Sequence, residues 1–128
     1  MSENTDALKK GYEAFNSGDL EGVQEIFHED TRWEGSNDER VPGGGTFEDR
    51  DGAMQALQEA VGAFEAVNSQ PDEMIEADNT VVVLGHTEAK TKSGNDVKVP
   101  FVHVWRMEHA KIKRGQLLTD TAVILEAL

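Results

Sequence analysis

The N-terminal half of the chain has its apolar residues at intervals of three and four, which is the period of one face of an α-helix. This spacing predicts helices over Asp6–Phe15 and Leu20–Phe27, and a third helix over Asp51–Phe64. Gly18 and Asp19 separate the first two, since glycine is favoured just after a helix and aspartate just before one.

The C-terminal half changes to runs of β-branched and aromatic residues that are separated by turn signals. Turns are predicted at Asp78-Asn79, Gly94-Asn95 and His109-Ala110. The predicted strands, including a short one that precedes the loop 35–50, are Thr31–Glu34, Met74–Ala77, Thr80–Lys92, Val97–Glu108 and Ile112–Thr121. This order predicts an α+β fold in which a cone-shaped, curved antiparallel sheet wraps around three N-terminal helices and leaves a pocket between the layers. We expect residues 1–128 to form a single domain.

Composition narrows the classes of function. The net charge is −13, from 25 acidic and 12 basic residues, and such a balance argues against binding to nucleic acid. The absence of cysteine excludes disulfides, iron–sulfur clusters and thiolate zinc sites, and the four histidines show no metal-ligand spacing. We therefore expect no metal and no cofactor. No apolar stretch approaches the length of a membrane span, the N-terminus is polar and acidic, and the expected location is the cytoplasm.

The strongest chemical signal is a histidine inside an apolar strand. By alternation, Phe101, His103 and Trp105 share one strand face, which we expect to face the pocket. An acid, Asp120, lies near the end of the return strand. If the turn is His109-Ala110, His103 lies opposite Gln116, and Asp120 lies roughly 13 Å further along the return strand, at about 3.3 Å per residue. This separation favours two groups that flank one substrate over a direct hydrogen bond between His103 and Asp120. His103 is alternatively a core histidine with a satisfied hydrogen bond, and Asp120 alternatively caps the C-terminal segment.

Other residues are candidates for the pocket wall or for hydrogen bonding to a ligand. Tyr12 lies on the buried stripe of the first helix, either as a core residue or as a donor to the ligand. The residues expected to contact a small hydrophobic molecule are Trp33, Met54, Leu57, Phe101, Trp105 and Leu118.

Several short strings, together with the order of elements, resemble the nuclear transport factor 2-like superfamily, which contains ketosteroid isomerases and SnoaL-like polyketide cyclases. The strings are Tyr12-Glu13-Ala14-Phe15-Asn16-Ser17-Gly18-Asp19-Leu20, Thr31-Arg32-Trp33-Glu34-Gly35, Val99-Pro100-Phe101-Val102-His103-Val104-Trp105 and Thr119-Asp120-Thr121. The resemblance spans nearly the whole chain and implies the cone-shaped α+β fold.

The resemblance also implies roles for single residues. Tyr12 stands where ketosteroid isomerases place a hydrogen-bond-donating tyrosine, but Gly35 stands in place of their general base. His103 takes the position of their protonated aspartate if the hairpin differs by one residue in length. Asp120 resembles the acid–base aspartate of SnoaL-type cyclases. These substitutions put steroid isomerisation in doubt.

Two kinds of function are consistent with these features. The first is cofactor-free acid–base chemistry, such as isomerisation, cyclisation or epoxide hydrolysis, on a small hydrophobic oxygenated molecule. In this acid–base chemistry, Asp120 moves a proton, and His103 or Tyr12 stabilises the charge that develops on oxygen. The alternative is a non-catalytic binding module or a dimeric interaction domain, and the sequence leaves open whether the protein is an enzyme. We expect a homodimer through the outer sheet face, where Val102 and Val104 lie.

Overall fold

The computed structural model describes residues 2–128, which form four helices and one six-stranded sheet. The elements in chain order are α1 (Glu3–Asn16), α2 (Leu20–Gln24), β1 (Phe27–Glu34), β2 (Thr46–Glu48), α3 (Asp49–Gly62), β3 (Phe64–Ala77), β4 (Thr80–Thr91), β5 (Asp96–Glu108), β6 (Lys111–Thr119) and α4 (Thr121–Ala127). The sheet is curved and unclosed, and the α+β class predicted from the sequence is confirmed.

The first two helices begin at side-chain caps. Ser2 accepts a hydrogen bond from the Thr5 backbone N–H while the Thr5 hydroxyl accepts from the Ser2 N–H, which forms a capping box. Asp19 caps α2 by accepting from the Gly22 N–H. The second helix is shorter than predicted, because the chain becomes extended at Phe27 and enters β1.

The strand order is β2-β1-β6-β5-β4-β3, and two features of the sheet differ from the predicted antiparallel arrangement. First, β1 joins the sheet beside β6 in parallel, so the sheet is mixed rather than purely antiparallel. Second, β3 begins at Phe64, far before the predicted start at Met74. Irregularities after Phe64 and Pro71 break the alternation along this edge strand, which hides it from sequence-pattern reasoning.

The three predicted hairpin turns are confirmed. Asp78, Asn79, His109 and Ala110 all have positive φ, with values from 49° to 62°, and Gly94 has a φ of 94°. Two consecutive residues with positive φ match the turn type that suits the twist of a two-residue hairpin.

The hairpin between β5 and β6 contains a one-residue bulge that decides which residues of β6 face the core. Glu108 pairs with Lys111 as the turn requires, but the register shifts between Arg106 and Met107. His103 therefore lies opposite Leu117, not opposite Gln116 as predicted. A shift of one residue turns every following side chain of β6 to the other face of the sheet.

The core lies between the helices and the concave face of the sheet. One buried cluster joins α1, α3 and the centre of the sheet, with Leu8, Val81, Val83 and Ile112 almost fully buried. A second, smaller cluster brings the loop residue Val41 against β5 and α4. Within residues 2–128, no helix combines the length and the apolar character that a membrane crossing requires.

Candidate functional site

A cavity of about 190 Å³ lies between the helices and the concave face of the sheet. Its wall is almost entirely apolar, and the described residues that line it include no Asp, Glu, Lys or Arg. The lining side chains that carry a polar atom are Tyr12, Trp33, Ser69, Thr87, His103, Trp105 and Thr119. The described lining is therefore uncharged, although the chain carries 25 acidic residues.

Three of these polar side chains form one hydrogen-bonded chain. The indole Nε1–H of Trp105 donates to the Tyr12 hydroxyl at 3.0 Å, and the Tyr12 oxygen lies 2.6 Å from His103 Nδ1. An indole nitrogen can only donate, so the tyrosine oxygen is the acceptor in the first bond. If His103 Nδ1 also donated to that oxygen, the buried Tyr12 proton would have no partner among residues 2–128. Tyr12 therefore donates to Nδ1.

This direction determines the protonation state of His103. Burial lowers the pKa of His103 to about 3, so the ring is neutral at ordinary pH. Burial also raises the pKa of Tyr12 well above its ordinary value, and the hydrogen bond from Trp105 offsets only part of that rise. A neutral imidazole that accepts at Nδ1 carries its proton on Nε2. That N–H has no protein partner in the described chain and belongs to a side chain that lines the cavity.

Aromatic packing holds the imidazole in place from several sides. Phe101 stacks on His103 with ring centroids 4.1 Å apart, and Tyr12 stacks at 5.7 Å. Trp33 meets the ring edge-on at 6.1 Å. These contacts leave the imidazole little freedom to turn, so its Nε2–H has a fixed direction.

Gly115 of β6 makes room for the two indoles. A β-carbon there would lie 2.5 Å from Trp105 and 2.9 Å from Trp33, and both distances are too short for carbon atoms. The indoles stack over this glycine with centroids 5.5 Å apart. The close approach of Trp105 to Tyr12 therefore requires a glycine at position 115. The sequence pattern did not reveal this role of Gly115.

The structure brings five of the predicted residues together in the cavity wall: Tyr12, Trp33, Leu57, His103 and Trp105. Met54 and Phe101 are buried but do not belong to that wall. Met54 packs within the main core cluster, and Phe101 lies behind the imidazole as its stacking partner.

Two further predicted residues face away from the cavity, and the bulge between β5 and β6 is the common cause. Leu118 is 60% exposed on the outer face, and its neighbour Leu117 lines the cavity instead. Asp120 is exposed and forms the N-cap of α4, where its carboxylate accepts from the Val123 N–H at 3.3 Å. The capping alternative is thus what the geometry supports for Asp120.

Sequence reasoning missed Ser69 and Thr87, which line the cavity from β3 and β4. Their hydroxyls carry no motif, and the edge strand that holds Ser69 was not predicted. In the described part of the chain, no group of three or more His, Asp or Glu side chains is arranged to hold a metal ion.

The fold and the apolar cavity define a small α+β protein of the SnoaL-like class. The chain belongs to the SnoaL-like domain family, whose model matches residues 8–115. This agrees with the resemblance found in the sequence. No curated protein is significantly similar to the chain in sequence.

Solved structures with this fold include close matches over the whole chain. An NTF2-like protein of unknown function from Burkholderia pseudomallei K96243 is 30% identical, with a TM-score of 0.92 and coverage of 99% of this chain and 98% of that one. TerC, co-crystallised with polyporic acid, is 28% identical, with a TM-score of 0.91 and 98% coverage of both chains. IdmH from Streptomyces antibioticus, a candidate polyketide cyclase, is 20% identical with a TM-score of 0.82 and 98% coverage of both chains, and it supports the fold alone.

Proposed function

We propose that the protein binds a small hydrophobic oxygenated molecule in its cavity and promotes cofactor-free chemistry at an oxygen-bearing carbon. The observation that carries this proposal is the chain from Trp105 through Tyr12 to His103, which ends in an imidazole N–H without a partner among residues 2–128. A neutral histidine held in this way donates a hydrogen bond to a carbonyl, hydroxyl or enolate oxygen.

The size and the chemistry of the wall support this class of ligand. An engineered apolar cavity of roughly 150 Å³ binds benzene, so a cavity of about 190 Å³ is sufficient for a molecule of one or two rings. A polar group on that ligand loses its hydration on entry, and a hydrogen bond from His103 would compensate for that loss.

The uncharged wall also limits the reaction. Because the lining residues among 2–128 include no carboxylate, the proton acceptor is water or a basic group of the substrate. His103 then stabilises the negative charge that develops on oxygen when a proton leaves the neighbouring carbon. Isomerisation and aldol-type cyclisation both pass through such an enolate. TerC, the 28% identical neighbour, was co-crystallised with polyporic acid, which supports a small-molecule site in this fold.

Binding is tested with 2-tetralone, a two-ring ketone with one acceptor oxygen. Both tryptophans of the chain line the cavity, so their fluorescence reports its occupancy. We expect saturable quenching or enhancement in the wild-type protein. His103→Phe keeps the ring but removes the donor and should weaken binding about 3- to 10-fold, the worth of one neutral hydrogen bond. Equal affinity of this variant and the wild type would contradict the proposal.

Turnover is tested by exchange of the hydrogens next to the 2-tetralone carbonyl in D₂O, followed by NMR. In this step the C–H bond breaks, the proton passes to solvent, and a deuteron returns to the carbon. The wild-type protein should accelerate the exchange, and His103→Phe should reduce the acceleration about 10²-fold, as loss of an oxyanion donor does elsewhere. Binding without acceleration would refute the catalytic half of the proposal and indicate a binding module.

A further inference from the structure

We propose that the cavity selects ligands that carry an oxygen at each end, with His103 bonding one end and the hydroxyls of Ser69 and Thr87 bonding the other. This inference rests on the proposed function, because it specifies the class of molecule that the same cavity takes.

Ser69 and Thr87 form a pair of hydroxyl groups on the cavity wall. They lie directly opposite each other in the β3–β4 ladder, and both line the cavity. Neither hydroxyl makes a hydrogen bond to another residue of the described chain. Thr119 differs, because its hydroxyl donates to the Pro100 carbonyl at 2.8 Å and is already satisfied. The pair is therefore free to bond a ligand.

The backbone beneath this pair is held from outside the sheet. Asn16, the last residue of α1, accepts from the Ser69 N–H and donates to the Ser69 carbonyl, each at 2.8 Å. The amide thus serves as the missing neighbour of an edge strand at this position. The Ser69 backbone is held by Asn16 on one side and by the pairing of β3 with β4 on the other, so the backbone positions that carry the two hydroxyls keep a constant spacing.

The pair and the imidazole lie at different heights along the sheet. Thr87 pairs with Val99 of β5, and His103 lies four residues further along that strand. Four residues correspond to roughly 13 Å at about 3.3 Å per residue. Apolar side chains make up most of the wall that surrounds both groups. A matching ligand is an elongated apolar molecule with an oxygen at each end, and a compact ligand with one oxygen satisfies only one group.

The test compares 4-phenylphenol with biphenyl-4,4′-diol by calorimetry, since the two share a rigid two-ring frame and differ in one hydroxyl. We expect the wild-type protein to bind the diol about 3- to 10-fold more tightly, as one additional hydrogen bond allows. In Ser69→Ala/Thr87→Val this preference should fall below about 2-fold. Thr119→Val, which removes a satisfied hydroxyl from the same wall, is the matched control and should keep the preference.

The outcomes separate this inference from the proposed function. A diol preference that is unchanged in the double variant, or absent in the wild type, overturns the inference. In either case a 2-tetralone affinity that depends on His103 leaves the proposed function intact. An equal 2-tetralone affinity of the wild type and His103→Phe refutes the proposed function, even if the diol preference changes as expected.

Discussion

At the scale of single residues, the site depends on polar groups that satisfy one another in apolar surroundings. Trp105 donates to Tyr12, and Tyr12 bonds His103, which is 91 positions away in the chain. Each group would be costly to bury alone. Because the imidazole is kept neutral, its charge cannot be the source of any chemistry at ordinary pH. Its Nε2–H is the group that we propose binds the ligand.

The neutral His103 predicts a specific dependence of stability on pH. Its folded-state pKa of about 3 lies below the unfolded value near 6.5, so between these values the unfolded chain binds more protons. The contribution of His103 is complete above about pH 6.5 and is lost as the pH falls towards 3. From pH 7.5 to pH 5.5 this one group should lower the free energy of unfolding by about 1.4 kcal/mol.

Urea unfolding of the wild type and His103→Phe at several pH values measures this effect. Between pH 7.5 and pH 5.5, the free energy of unfolding should fall by about 1.4 kcal/mol less in the variant than in the wild type. This difference does not depend on the stability of the variant at pH 7.5. His109→Asn is the control, because His109 is exposed on the β5–β6 turn with a φ of 53° that asparagine tolerates. Parallel pH profiles for the wild type and His103→Phe would contradict a buried neutral imidazole.

At the scale of elements, the short helix α4 closes one part of the cavity. Ile124 is buried in it and contributes to the cavity wall. Asp120 caps its N-terminus, and the Asn95 side chain donates to the Ala127 carbonyl near its end at 2.8 Å. A helix of seven residues has little stability of its own, so these contacts hold it in place.

The capping role of Asp120 predicts how its substitution behaves. Asp120→Asn keeps a good cap and should change neither the free energy of unfolding nor the 2-tetralone affinity appreciably. Asp120→Ala should cost about 1 kcal/mol in urea unfolding, the usual effect of losing a cap. A folded Asp120→Asn protein that binds 2-tetralone but no longer accelerates exchange would instead establish the acid–base role that the sequence suggested.

At the scale of the whole molecule, the outer face of the sheet carries an exposed apolar patch. Leu118 is 60% exposed and Ile75 is 50% exposed. Partly buried valines at 82, 102 and 104 lie between them across neighbouring strands, as the ladder register places them. Exposed apolar side chains grouped on one sheet face make this face a candidate interaction surface.

We predict a homodimer that packs through this outer-face patch. Sedimentation velocity at micromolar concentration should show a dimer, and Leu118→Glu should convert it to a monomer by placing a charge in the interface. Added salt should strengthen association, because each chain carries a net charge of −13 and salt screens their repulsion.

Val123→Glu provides the matched control for the dimer. Val123 is also an exposed apolar residue, at 38%, but it lies on α4 rather than on the outer face of the sheet. The Val123→Glu substitution should leave the dimer intact. A wild-type protein that sediments as a monomer would show that the predicted homodimer is wrong.

The local pattern of the sequence determined much of the fold. The three hairpin turns follow from residues that accept positive φ, and the alternation along β5 placed His103 and Trp105 on the cavity side. The helical spacing of apolar residues placed Tyr12 on the buried face of α1. These features depend only on neighbours within a few positions, so they can be inferred from the sequence.

Only the tertiary structure decided which residues of β6 face the cavity. The sequence of β6 is ambiguous about its inward face because it contains two pairs of like residues, Lys113-Arg114 and Leu117-Leu118. In either register, each face of the strand receives one charged residue from the first pair and one leucine from the second. The bulge opposite Arg106 resolves this ambiguity, turning Leu117 inward and Leu118 and Asp120 away from the cavity. Such a bulge depends on packing between strands, and a shift of one residue leaves the local pattern unchanged while it reverses every face.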